Sequence, residues 1–301
     1  MNEREKLDAV ERMQRHIASH IDDEITTQDL SRAAGYSPWH SARIFKEFLG
    51  KTPFEYIRAL RLTIAAKELR DSDMKIVNVA LNGGFDSHDG FTRAFAKQFA
   101  ITPKKYQNEK PPLNYFTYYP VRDYYLYIEK KDENDMNKEF STTVMVQALE
   151  RPARKLIILR SKEASDYFSF CEEMGCDWEG LLNSVSEKID NAAILELPKS
   201  LSKAKTSSCA AGVEVPMDFS KPLPDGYEIL DLEPCTMLYF NGAPFEKEED
   251  FGKAIGVVFE AIATYRPQRY GYMFADELAP RFNFGASCEV GAKLAIPVVR
   301  M

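Results

Sequence analysis

The stretch Ser37–Leu49, Ser-Pro-Trp-His-Ser-Ala-Arg-Ile-Phe-Lys-Glu-Phe-Leu, returns 50 positions later. Ser37 meets Ser87, Arg43 meets Arg93 and Phe45 meets Phe95; just downstream, Thr52-Pro53 meets Thr102-Pro103 and Tyr56 meets Tyr106. Chance supplies one or two such identities, not six in register. A self-match at fixed period means that one supersecondary unit has been used twice. Whatever this chain folds into must therefore contain the same small structure two times, early in the sequence.

Residue types define that structure. Leu7, Val10, Met13 (or Gln14) and Ile17 lie at helical spacing within residues 3–20. Thr26 or Thr27 then caps a short helix, Gln28–Ala34, with Leu30, Ala33 and Ala34 inward. Gly35 permits a tight turn, Ser37 is a good N-cap, and Pro38 stands at the first helical position, where its missing N–H costs nothing. Helix, glycine turn and capped helix are the parts of a helix-turn-helix. In the second helix, Ile44, Phe45, Phe48 and Leu49 face a core, while Trp39, Ala42, Arg43 and Lys46 form one outward stripe at i, i+3, i+4 and i+7. Arginine makes bidentate contacts to guanine, and Ala or Trp packs on a thymine methyl. A solvated charged face with a half-buried Trp is the competing reading.

Pro53 opens a long helix to about Arg70, with Ile57, Leu60, Ile64, Ala65 and Leu69 as its apolar stripe and Arg58, Arg61 and Lys67 exposed. It reads as a strut. Ile76–Asn82, a Gly83-Gly84 turn and a helix capped near Ser87 make the second unit. Phe91, Ala94, Phe95 and Phe99 are its core face; His88, Asp89, Thr92, Arg93 and Lys97 point outward.

Charge separates this half from the rest. The whole chain carries −7, but residues 31–110 hold 14 Lys and Arg against 8 Asp and Glu, leaving −13 for the remainder. A basic segment in an acidic chain suits a DNA-binding domain. No apolar run reaches the roughly 18 residues of a membrane span, and the start is charged rather than a signal-peptide core, so the expectation is a cytoplasmic protein without a membrane partner. The five cysteines (Cys171, Cys176, Cys209, Cys235, Cys288) are scattered and odd in number. They lack Cys-x-x-Cys spacing and read as buried thiols rather than disulfides or a metal site.

Gly-Tyr-Ser-x-Trp-His-x-x-Arg-x-Phe-Lys, a linker helix, then Gly-Phe-Asp-Ser-x-x-x-Phe-Thr-Arg-x-Phe and Thr-Pro-x-x-Tyr together resemble AraC/XylS-type transcription regulators of the MarA/SoxS/Rob-like kind, over about Thr26–Tyr106. The resemblance implies one monomer that presents two recognition helices to successive major-groove segments about 34 Å apart. It places Trp39, Ala42 and Arg43, with Lys46 on the same stripe, on double-stranded DNA from the first helix, and His88, Asp89, Thr92 and Arg93 from the second. It also makes RNA polymerase a candidate partner, with activation the expected outcome. Asp86 and Asp89 sit where phosphate contacts want positive charge, so the first unit is expected to dominate sequence reading.

The expected layout is an all-α DNA-binding domain over residues 1–106, a connector over 107–141 and an α+β domain over 142–301. The connector holds Pro111-Pro112, an aromatic patch from Tyr115 to Tyr127 able to dock on either domain, and a charged run. Beyond it, strand-like runs and helical stretches give the order strand-helix-strand-strand twice, an antiparallel sheet with internal pseudo-symmetry. This order and the closing Gly-Ala-Lys-Leu-Ala-Ile-Pro-Val resemble GyrI-like effector-binding domains, which implies a cleft for small amphiphilic molecules. Trp178, Glu179, Tyr239, Tyr272, Phe274 and Lys293 are the lining candidates; Lys293 stands where many members hold Glu, which leaves ligand charge open. All four histidines lie within the first 88 residues, and no phosphate loop, nucleophile elbow or dinucleotide fingerprint occurs. No cofactor, metal or catalytic residue is expected. A small-molecule binder or hydrolase with DNA binding secondary is the alternative.

Overall fold

Side-chain caps decide where the N-terminal helices begin. The computed structural model describes residues 3–117, 143–175, 177–247 and 250–301, in two units, Met1–Asp132 and Glu133–Met301. After α1 (Glu3–Ser19), Thr26 and Asp29 close a reciprocal capping box, so α2 runs Thr27–Ala34 and ends on Gly35 at φ +78°. Ser37 and Pro38 start α3 (Pro38–Leu49), which stops on Gly50 at φ +68°. Thr52 and Glu55 form a second capping box for α4 (Pro53–Asp71). Then follow α5 (Ile76–Asn82), α6 (His88–Phe99) and α7 (Pro103–Glu109).

The two copies superpose in sequence with one offset change. Helices α3 and α6, their serine caps and the Thr-Pro starts behind them are 50 residues apart, but the left-handed turn glycines Gly35 and Gly84 are only 49 apart. Asp86 is the extra residue of the second turn. At the other end the copies differ in chemistry: Gly50 takes its left-handed φ freely, whereas Ala100 holds φ +57° with a Cβ.

Helix α4 serves two cores. Tyr56 and Ile57 pack with Val10, Met13, Leu30, Ile44 and Phe45 of the first unit; Leu62, Ala65, Ala66 and Leu69 pack with Val79, Phe91, Phe95 and Tyr106 of the second. A single apolar stripe serves one core, so the expected stripe is wrong at Ile64, which is 41% exposed. The helical core also continues past Tyr106: Leu113 and Tyr115 join the second cluster, the Tyr106 and Tyr115 hydroxyls hydrogen-bond at 2.8 Å, and Phe116 meets Tyr56 edge-on. The start of the aromatic patch thus docks on the helical unit; Tyr118–Tyr127 lies outside the described residues.

The second unit is an antiparallel sheet with helices. In order come β1 (Val144–Arg151), β2 (Arg154–Arg160), α8 (Tyr167–Met174), α9 (Asp177–Ser184), β3 (Ala193–Glu196), β4 (Cys209–Val215), β5 (Tyr227–Leu232), β6 (Cys235–Gly242), α10 (Phe251–Thr264), β7 (Tyr272–Phe274), β8 (Arg281–Ser287) and β9 (Gly291–Arg300). The sheet order is β1-β6-β9-β8-β3-β4-β2-β5, with β7 also on β9. It reads alike from both ends: β6-β9-β8 and β2-β4-β3 meet at the β8–β3 pair, and the leading strands β1 and β5 each border the opposite triplet. Strand β8 was not foreseen from the sequence; Asn283 and a bulge at Gly285 (φ +78°) break its alternation.

Three cores follow from strand alternation. Ile157, Ile194, Ala211 and Val213 face α8 and α9. Leu238, Phe240, Leu294 and Ile296 face α10. Leu156, Ile158, Leu195, Tyr239, Phe282 and Ala295 make the opposite, helix-free face.

Candidate nucleic-acid interface

Anchoring of α3 from behind aims its front. Ser41, Ile44 and Phe45 are buried, Phe45 stands edge-on to Tyr56, and Arg12 of α1 donates to the carbonyls of Ala33 and Ala34 at 2.9 and 2.7 Å, satisfying the end of α2. The stripe opposite is open. Trp39 is 73% exposed, Arg43 and Lys46 are exposed and Ala42 is half-buried. The Arg43 guanidinium lies 5.3 Å from the Trp39 ring centre, so a planar donor fork is stacked on an aromatic plate. His40 stands behind it, 3.4 Å from Arg43 and edge-on to Tyr36. Lys6 pairs with Glu47 at 2.7 Å, which holds that carboxyl below its usual range and turns the one nearby acid of α3 toward α1.

Helix α6 repeats the geometry with different charge. Ser87 accepts from the Gly90 amide at 3.1 Å, and a ladder of rings, Phe85–Phe91–Phe95–Phe99, locks the inner face. His88, Asp89 and Arg93 are exposed and Thr92 is half-buried on the outer face. Asp89, 91% exposed at its side chain, is 3.5 Å from the His88 ring, and Asp86 is exposed in the turn before it. The four expected residues of each helix therefore share one accessible face, cationic on α3 and mixed on α6.

Arg61, expected as a solvated cation on the strut, is instead a clasp. Its Nε donates to the Ile21 carbonyl at 2.9 Å and its Nη2 to the Asp23 carbonyl, while its guanidinium lies against Gly84, where a Cβ would come within 2.9 Å. One side chain thus ties the first unit's α1–α2 loop to the second unit's turn. Beside it is a cleft of about 520 Å³ lined by Ile21, Ile64, Glu68, Asn82 and Gly83. No local sequence signal announces this role, because its partners are 38 and 40 residues away.

The six candidates in the C-terminal unit do not share one surface. Trp178 is buried among Phe170, Leu181 and Val213 under α8 and α9, and its indole N–H has no hydrogen-bond partner. Its neighbour Glu179 is half-buried, and loss of solvent raises its carboxyl pKa. Tyr272 and Phe274 pack in the α10 core. Only Tyr239 and Lys293 meet, on the helix-free face: Lys293 Nζ lies 5.4 Å from the Tyr239 ring and 4.4 Å from Phe284. Around them stand residues the sequence did not single out. Arg151 donates to the Tyr239 hydroxyl from Nε at 3.1 Å and to Asp190 at 3.2 Å; Lys293 donates to both Asp190 oxygens at 2.7 and 2.8 Å; Arg154 pairs with Glu214 at 2.5 Å. Among the described residues no cluster of His, Cys, Asp and Glu could hold a metal ion, and no helix is long and apolar enough to cross a membrane. The described cysteines form no disulfide with one another, and burial pushes the Cys209 thiol up to about 12; Cys176 lies outside the described residues.

Comparison with known proteins falls on the doubled unit. A helix-turn-helix domain family model matches residues 30–109, from within α2 to the last residue of α7. The probable transcription factor PqrA of Proteus vulgaris is 47% identical over 83 residues, 28% of this chain and 68% of that protein. The regulatory protein SoxS of Escherichia coli (strain K12) is 36% identical over 92 residues, 31% of this chain and 86% of that protein. This chain belongs to the AraC/XylS family of transcription regulators. The match to the Right origin-binding protein of the same strain is 40% identical over 105 residues, 32% of this chain, and spans only 36% of that protein. The AraC-type domain thus accounts for the helical unit. Helix α1, which contributes Ala9, Val10, Met13 and Ile17 to the first core, precedes the residues matched by the family model.

Proposed function

We propose that this regulator binds double-stranded DNA with both helix-turn-helix units and that its C-terminal unit senses a small amphiphilic molecule. Helix α3 reads bases through Trp39, Ala42 and Arg43, with Lys46 directed at phosphate. Helix α6 reads the next major-groove segment through His88, Asp89, Thr92 and Arg93, with less discrimination because Asp86 and Asp89 oppose the backbone charge. The observation that carries this reading is the pair of equally capped helices, 50 residues apart, each with a buried aromatic back and an open polar front. Residues 142–301 serve as a GyrI-like, duplicated βαββ effector domain; the mirrored strand order around β8–β3 supports it. Ligand acts by favouring one arrangement of the protein on DNA over another, and the output is activation through RNA polymerase in the cytoplasm.

Selection of the full chain against a randomised duplex library tests the DNA reading. The expected product holds two boxes with centres about one helical turn, ~34 Å, apart, the α3 box more sharply defined. Absence of enrichment, or a single box, refutes two-unit reading.

A further inference from the structure

We propose that the helix-free face of the C-terminal sheet takes a monoanionic aromatic ligand, an arenecarboxylate, and that Lys293 sets this charge preference by filling the place an organic cation would occupy. The inference rests on the reading of this unit as a small-molecule sensor and assigns the charge that reading leaves open.

The charges on this face lie in two layers. The inner layer is Arg154 and Glu214, 0% and 3% exposed, which neutralise each other; Arg154 Nη1 donates to the Pro152 and Glu233 carbonyls at 3.2 and 3.1 Å and Nη2 to the Cys235 sulfur at 3.4 Å. The outer layer is partly open to solvent and holds two cations, Arg151 and Lys293, on Asp190; Arg151 also lies 3.7 Å from the inner Glu214, so the two layers together set three cations, Arg151, Arg154 and Lys293, against two carboxylates. Tyr239 does not supply the missing negative charge, since burial pushes its phenol up to about 12 despite the facing Arg151. One positive charge is therefore uncompensated in a half-buried setting. The far end of the same face repeats the imbalance: Arg160 and Lys203 both pair with Glu228.

The rings beside this layer explain why the ligand is aromatic and why Lys293 matters. Phe282 and Phe284, two apart on β8 and so on one face, stack at 5.7 Å, and Tyr239 stacks on Phe284 at 6.1 Å. Rings with a carboxylate beneath them are the parts of a cage for an organic ammonium. Here the protein's own ammonium fills that cage, over Phe284 and on Asp190. A second cation entering would meet Lys293 and Arg151. Tyr239 and Phe282 are buried, so a planar carboxylate can lie only against the half-buried Phe284 ring, where it can accept the third Lys293 N–H and cancel the surplus charge. The flanking amides Gln147 and Asn241, in register with Tyr239 and Lys293, can serve either sign and do not decide it.

Isothermal titration of the full-length protein with three matched probes tests this: 2-naphthoate, 2-naphthylmethylammonium and neutral 2-naphthalenemethanol. The wild type is expected to bind the carboxylate at least about tenfold more tightly than the ammonium. Lys293→Met keeps the chain length, vacates the cage and makes the outer layer neutral, so the carboxylate weakens and the ammonium tightens, each by about tenfold, with the alcohol little changed. Asp190→Asn acts in the opposite sense, removing the carboxylate that Arg151 and Lys293 share, and is expected to strengthen carboxylate binding without emptying the cage. A wild type that prefers the ammonium overturns the charge assignment and leaves the sensor reading standing. So does an unchanged preference in Lys293→Met, or, if that variant does not fold, weakened carboxylate binding in Asp190→Asn. A wild type that binds none of the probes overturns the sensor reading and this inference together.

Discussion

Replacing Arg43 by alanine separates a base-reading helix from a merely charged one. In the free protein Arg43 is exposed, with His40 at 3.4 Å and the Trp39 ring at 5.3 Å as its contacts. An exposed cation–π contact is worth about 0.5–1 kcal/mol, so folding changes little. If α3 reads bases as proposed, the same guanidinium would make a bidentate contact on DNA worth about 1–3 kcal/mol, and its removal would cost about five- to 150-fold in affinity. The loss must be selective. A base contact removed lowers affinity for the selected duplex and leaves a scrambled duplex nearly unaffected. Lys46→Ala weakens both alike and lowers the salt slope by about one. Because Arg43 and Trp39 touch, the double variant with Trp39→Ala should lose less than the sum of the two singles. Fluorescence anisotropy with both duplexes at two salt concentrations measures all of this. Equal Kd values for Arg43→Ala and wild type, or equal losses on both duplexes, would refute base reading by α3.

Three further outcomes follow from the packing. Ala100→Gly relieves a left-handed residue that the first copy makes with Gly50, and Gly50→Ala introduces one; the first should raise and the second lower stability by about 1 kcal/mol, read in urea by far-ultraviolet circular dichroism. Glu214→Gln leaves the buried Arg154 without its carboxylate and should cost about 3–5 kcal/mol, while Arg154→Met with Glu214→Leu should cost less than that single change, by the same titration. Glu179 has a carboxyl raised above its ordinary 4.5 by burial, so the folded state holds its proton over a pH range where the unfolded chain has lost it. Stability is then full below 4.5 and falls as pH rises through the raised value. Glu179→Gln should therefore be more stable than wild type at neutral pH, with the advantage gone in acid; an advantage that persists in acid assigns the effect to packing instead.

Local chemistry is legible in a sequence, and the doubled unit is local. Caps at Thr26, Ser37, Thr52, Ser87 and Thr102, and turns at Gly35 and Gly84, each act within a few residues. The outward stripes of α3 and α6 could likewise be read from spacing, because helical period puts i, i+3, i+4 and i+7 on one face whatever lies behind. The C-terminal candidates fared differently. Tyr239 and Lys293 alternate correctly along their strands, but Tyr272 and Phe274 face α10 and Trp178, on α9 itself, turns into the core beneath that helix; which face of a sheet is covered is not written in any one strand.

By itself, then, the sequence determined two helix-turn-helix units, their polarity and the residues on their outward faces, since short-range caps and periodicity suffice for that. Tertiary structure alone decided that α4 turns one face to each core, that Arg61 clasps the two units, and that β8 lies at the centre of the sheet. It also gathered Arg151, Asp190 and Lys293 from positions up to 142 residues apart. Such groupings depend on long-range pairing of strands, which no local pattern of residues encodes.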